Sequence, residues 1–151
     1  MNELVYRNLS EDAKRQICAW KYGGEYDLYN LPAYEEMQVR QIGFMNPQRE
    51  KNYYGFWDES ILVGFVNILE EKEEVFIGIG VNPDLCNKHY GQRMLLITYE
   101  ISKKLYPNKP LYLEVRTWNI RAVKCYQKAG FRIDGQAYES VSYTHLTLPT
   151  N

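Results

Sequence analysis

At 151 residues, with 45% hydrophobic and 25% charged side chains, the sequence has the composition of one ordinary globular domain and excludes global disorder. A chain of this length buries roughly 70% of the surface that its unfolded form exposes. The formal net charge of −1 removes the electrostatic basis for a nucleic-acid or anionic-membrane partner, because phosphate binding needs a basic surface.

Leu4–Tyr6 is the first expected strand. Ser10, followed by Glu11 and Asp12, starts a helix: a hydroxyl caps free backbone N–H groups and acids suit that end. Ala13, Ile17 and Trp20 recur at helical spacing until Gly23 and Gly24 break the run. Pro32 precedes a second helix, and Asn46-Pro47 marks another break. Residues 53–57, 61–69 and 75–81 are rich in aromatic and β-branched side chains and read as a three-strand meander. The acidic run Glu70–Glu74 then reads as a solvated hairpin turn. Gly91 to Leu105 carries a helical stripe of Met94, Ile97, Thr98, Ile101 and Leu105. Leu111 to Arg116 alternates strictly, with Leu111, Leu113 and Val115 on one face and Tyr112, Glu114 and Arg116 on the other. Asn119 caps a last helix, Gly130 supplies the left-handed residue after it, and 131–140 reads as a further strand. The sum is a mixed α/β sheet covered by helices.

Other features narrow the function. No apolar run approaches the roughly 20 residues of a membrane span. The N-terminus lacks the basic start and apolar stretch of a signal peptide, so the expected setting is cytoplasmic. Three scattered cysteines and two histidines suggest neither a disulfide scaffold nor a metal site. Fourteen tyrosines suit either a pocket wall or a half-buried sheet face.

Chemistry concentrates in two segments. In the first, a strand runs through Asn82–Gly91 directly into a helix, whose first N–H groups lack internal partners and whose dipole makes that end positive. Such an end suits a diphosphate, and Lys88 adds a mobile positive charge. In the second, residues 114–131, Asn119, Ala122, Tyr126, Lys128, Gly130 and Phe131 match the pattern N-x-x-A-x-x-x-Y-x-K-x-G-F without a gap. Here the sequence resembles the GNAT (GCN5-related N-acetyltransferase) family. Pro83, Lys88 and Gly91 fit that family's P-x-x-R-G-K-G-x-G acyl-CoA loop in the right order and spacing.

The resemblance implies an acyl-CoA N-acyltransferase fold, β-αα-βββ-α-β-α-β, and acetyl-CoA as acyl donor with no metal. It implies that Gly78, Ile79, Gly80 and Val81 pair with the pantetheine arm like an added strand. Asn87, Lys88, His89, Gly91 and Gln92 would hold the pyrophosphate, with Lys128 also at the cofactor. Asn119 would contact the cofactor arm, and Tyr126 would sit near the thioester sulfur. The stretch Leu113–Arg116 is similar to that of the ribosomal-protein N-terminal-alanine acetyltransferases, which implies Glu114 as base and Tyr126 as acid. The alternative for Glu114 is a strand carboxylate paired with Arg116 or with solvent.

The loop departs from the pattern at Cys86, where the family has Arg or Gln, and at Asn87 and His89, where it has glycines. Asn tolerates a left-handed backbone, whereas the His89 side chain stands where backbone normally approaches phosphate. A degenerate, non-catalytic acyl-CoA-binding domain is therefore the second reading, and an aromatic interaction surface a third. The expected partner is a small-molecule or peptide amine, bound by a monomer or homodimer near Trp20, Tyr22, Tyr29 and Tyr34.

Residues 141–146 (VSYTHL) resemble a translated sequencing adapter, so the domain is expected to be 1–140 and 141–151 a patternless non-native tail. The family's final strand is then expected to be missing.

Overall fold

The computed structural model describes residues 3–134 and 143–149. Seven strands, β1 (Val5–Asn8), β2 (Tyr53–Asp58), β3 (Ile61–Glu70), β4 (Val75–Val81), β5 (Leu111–Arg116), β6 (Arg132–Ile133) and β7 (Tyr143–Leu148), hydrogen-bond in the order β1-β2-β3-β4-β5-β7-β6. Among the described residues four α-helices accompany them: α1 (Glu11–Ala19), α2 (Tyr34–Arg40), α3 (Tyr90–Leu105) and α4 (Ile120–Lys128). The chain packs as two compact units, Met1–Val66 with Gly80–Lys88 and Asn67–Ile79 with His89–Asn151. No described helix is long and apolar enough to cross a membrane.

In the first unit, β1 runs antiparallel to β2, with Val5 opposite Trp57 and Asn8 opposite Tyr54. Ser10 caps α1 as its sequence position predicts, accepting from the Ala13 N–H at 3.1 Å. The helix stops at Ala19 rather than running to the glycines, and Trp20 turns extended to set its ring 6.2 Å from that of Phe65. Ile17, Met37, Phe44, Trp57 and Leu62 belong to one buried cluster. Ile17, Phe44 and Leu62 are each at most 2% exposed, worth roughly 1.5–3 kcal/mol apiece in transferred apolar surface. Lys14 is buried too, and its ammonium is matched by the carboxylates of Glu11 and Glu50. Tyr34 donates to Glu11 and lies beneath the Arg15 guanidinium, so it belongs to this structural network.

In the second unit the acidic run is a hairpin turn: Glu71 N–H donates to the Glu74 carbonyl at 2.8 Å. Lys109 Nζ holds the turn through Glu70 Oε2 at 2.6 Å and the Glu71 carbonyl at 2.8 Å. The alternation of β5 appears as expected, with Leu111, Leu113 and Val115 buried and Tyr112, Glu114 and Arg116 half-buried. Gly130 follows α4 at φ +103°, and Phe131 N–H closes back on the Tyr126 carbonyl at 3.0 Å.

The expectation of a patternless tail and a missing final strand is overturned. Tyr143–Leu148 is β7, antiparallel to β5 over six residue pairs from Leu111↔Leu148 to Arg116↔Tyr143, and it also pairs β6. The physical reason is pairing with both neighbours, β5 and β6, together with the burial of His145 and Leu146, while Tyr143, Thr144 and Thr147 are residue types that suit a pleated strand. Of the strand expected over 131–140, Arg132–Ile133 forms β6, and residues 135–140 lie outside the described residues.

Candidate active site

The parallel ladder between β4 and β5 has two rungs, Val75↔Leu111 and Phe76↔Tyr112. Past Phe76 the two strands no longer pair, so backbone N–H and C=O groups of Ile77–Ile79 and Leu113–Val115 face each other without ladder bonds. An extended amide-bearing chain fits such a gap as an added strand would. This observation supports the acyl-CoA fit.

Beside the gap, the half-buried face of β5 presents Glu114. Among the described residues its carboxylate makes no hydrogen bond or ion pair. Arg116, the alternative partner for it, instead sets its guanidinium 4.6 Å from the Tyr143 ring centroid. Tyr112 is committed elsewhere: its hydroxyl donates to Glu71 at 2.8 Å, and burial raises its pKa. Tyr126 lies half-buried on α4 with its ring 6.5 Å from that of Phe131. Asn119 is 6% exposed and caps α4, its Oδ1 accepting from the Ala122 N–H at 3.2 Å. Gln92, in the first turn of α3, donates to the Lys128 carbonyl at 3.4 Å and so brings two expected cofactor residues together.

His89 takes the N-cap position of α3 with φ +66° and makes no side-chain cap bond. The first-turn amides, Gly91 among them, are therefore not closed off by a capping side chain as in α1 and α4. Among the described residues no group of three or more His, Cys, Asp or Glu side chains is arranged to hold a metal ion.

In the first unit, Gly80 and Val81 end β4. Tyr22 donates to the Val81 carbonyl at 2.6 Å, and burial keeps this hydroxyl protonated by raising its pKa. Asn82 N–H donates to the Val63 carbonyl at 2.8 Å, and its side chain starts the short turn Pro83–Leu85. Asn87 and Lys88 are exposed. The space at Gly80 is filled by Phe65, whose Cε1 lies 2.4 Å from where a Cβ would stand.

The family model described as "Acetyltransferase (GNAT) family" matches residues 9–131. The chain belongs to the GNAT acetyltransferase family. Solved structures share its fold at low identity. A chimera of the Vibrio cholerae spermidine N-acetyltransferase with hSSAT has TM-score 0.79 at 17% identity, covering 98% of this chain and 96% of that one. A GNAT acetyltransferase from Bacillus anthracis has TM-score 0.77 at 14% identity, covering 98% and 95%. The ribosomal-protein-S18-alanine N-acetyltransferase from Escherichia coli has TM-score 0.67 at 17% identity, covering 98% and 94%. No curated protein matched the sequence.

Within this GNAT protein two features escaped the sequence. The left-handed residue of the loop is His89, not Asn87. Tyr22 reaches the end of β4 across 59 positions, a contact no local signal announces. The first carries a prediction. A non-glycine side chain at positive φ costs about 1 kcal/mol, at the low end for histidine. His89→Gly is therefore expected to raise the melting temperature by about 2–4 °C and to tighten acetyl-CoA binding, read by scanning calorimetry and titration. An unchanged dissociation constant would show that the side chain does not stand against the phosphates.

Proposed function

We propose that the protein transfers an acetyl group from acetyl-CoA to a primary amine by direct attack, with Glu114 as base and Tyr126 as acid. The observation carrying this reading is the interrupted β4–β5 ladder with a carboxylate on the strand beside it, Glu114, that has no partner among the described residues. On this reading Ile79, Gly80 and Val81 pair with the pantetheine amides. Asn87, Lys88, His89, Gly91 and Gln92 bind the diphosphate, and Asn119, Tyr126 and Lys128 line the arm from α4. The acceptor is a small-molecule or peptide amine, the protein works as a monomer or homodimer, and its setting is cytoplasmic. The domain is residues 1–140, with 141–151 derived from a sequencing adapter.

The chemistry needs two protons to leave the amine and one to reach the thiolate. The amine nitrogen attacks the thioester carbonyl only after losing a proton, which Glu114 takes directly or through a water. The C–S bond then breaks, the attacking nitrogen releases its second proton to solvent, and Tyr126 gives its phenolic proton to the departing thiolate and recovers one from solvent. Positioned transfers of this kind are worth roughly 10²–10⁴-fold in rate.

A second reading, acyl-CoA binding without catalysis, is favoured by the His89 side chain at the loop. Titration with acetyl-CoA followed by a transfer assay across an amine panel separates the two. Tyr126→Phe is expected to lower kcat at least about tenfold with the acetyl-CoA dissociation constant held within twofold. Saturable binding with no turnover on any amine would leave only the second reading.

A further inference from the structure

The half-buried face of the second unit holds a polar atom that the expected chemistry does not use. Asn67 lies on β3, and its Oδ1 is buried with no hydrogen-bond partner among the described residues. Its Cβ is 3.5 Å from the position a Gly78 Cβ would occupy, and the Phe76 ring is equally close to that position. The Phe76 and Tyr112 rings meet at 5.5 Å, and Glu114 lies two residues beyond Tyr112 on the same face. Asn67, the bare backbone of Gly78 and Glu114 thus stand at one level of three neighbouring strands, at the end of the β4–β5 ladder.

We propose that Asn67 positions the acceptor amine: its side-chain carbonyl receives one N–H of an alkylammonium group whose departing proton goes to Glu114. The inference rests on the acetyltransferase reading above. Hydrogen-bonded strands lie about 4.8 Å apart, and β4 and β5 are no longer paired at this level, so β3 and β5 stand more than about 10 Å apart across β4. Gly78 adds no side chain of its own there, and its Cβ position is bordered by Asn67 Cβ and the Phe76 ring at 3.5 Å, so an amine entering over Gly78 meets Asn67 on one side and Glu114 on the other. Both groups are hydrogen-bond acceptors, which selects a donor-rich ammonium. A buried carbonyl oxygen left unpaired is a standing cost, and the arriving N–H removes it. The Phe76 ring, 3.5 Å from the Gly78 Cβ position, gives the adjoining methylene an apolar neighbour, so the substrate class is an unbranched alkyl amine.

The test compares wild type with Asn67→Leu and Asn67→Asp, using spermidine and a short alanine-led peptide as acceptors. Asn67→Leu is expected to raise the amine KM about tenfold, with the acetyl-CoA dissociation constant unchanged. Its melting temperature should hold or rise, because an unpaired buried acceptor is gone; a merely structural Asn67 would lower it and spare the amine KM. Asn67→Asp keeps the shape, adds charge, and is expected to lower the amine KM at neutral pH. Should the leucine variant fail to fold, the aspartate variant decides alone, and an unchanged KM there overturns the proposal. Turnover by wild type with neither variant altering the amine KM sinks this inference and spares the acetyltransferase reading. No turnover by wild type sinks both.

Discussion

Glu114→Gln is expected to lower kcat about a hundredfold or more, with the acetyl-CoA dissociation constant within twofold of wild type. The substitution is nearly isosteric, and it breaks no partnership: among the described residues Glu114 has no hydrogen bond or ion pair. Melting temperature should therefore hardly move, so lost activity cannot be blamed on lost fold. The pH dependence adds a second signature. Without the carboxylate, the amine must shed its proton to bulk water, and a primary alkyl amine has a pKa of about 10. The deficit should then shrink steadily as the assay pH rises toward that value. A steady-state pH series on both proteins measures this. A loss that stays constant across pH would mean that Glu114 organises the site and does not take the proton.

Gly80→Ala is expected to be strongly destabilising. The added Cβ would stand 2.4 Å from Phe65 Cε1 and 2.9 Å from its Cζ, far inside contact distance. Phe65 is half-buried and its ring packs against Trp20 at 6.2 Å, Phe44 at 6.2 Å and Tyr53 at 6.5 Å, so it yields only by giving up these contacts. Overpacking of this kind costs about 2 kcal/mol, which for a chain of this size lowers the melting temperature by about 4–8 °C. The strand end must shift to relieve the clash, and with it the Val81 carbonyl that Tyr22 holds. Acetyl-CoA affinity is expected to fall at least about tenfold if Gly80 and Val81 hold the arm. Gly78→Ala is the stability control, because its Cβ would meet Asn67 and Phe76 at 3.5 Å, an ordinary contact. Calorimetry and acetyl-CoA titration on the two variants give both readings.

These sites differ in how openly the sequence announced them. β5 was legible because Leu111, Leu113 and Val115 alternate without a break, and the period alone assigns its faces. α4 was legible because Asn119 and Gly130 bracket it with chemistry that caps demand. β7 was not, because Tyr143, Thr144 and His145 read as polar tail; the neighbouring β5 and β6 select that segment as a strand. His89 stands out in the sequence as a bulky residue at a glycine position, but its left-handed backbone depends on how the loop enters α3. Asn67 gave no sign at all. An asparagine in a strand looks alike whether its carbonyl is satisfied or orphaned, and only packing tells them apart. Local pattern therefore carried the framework, and long-range contacts set the chemistry on it.

The two-rung ladder has a consequence for how the protein survives. A sheet interrupted in its interior keeps less cohesion than its strand count suggests, because the ladder between β4 and β5 stops after two rungs. If the acyl donor supplies the missing rungs, it acts as a removable piece of the fold. Donor at about a hundred times its dissociation constant would add about 2.7 kcal/mol to folding stability. Starvation for donor would then silence the catalyst and also enlarge its unfolded fraction, so that abundance and activity fall together.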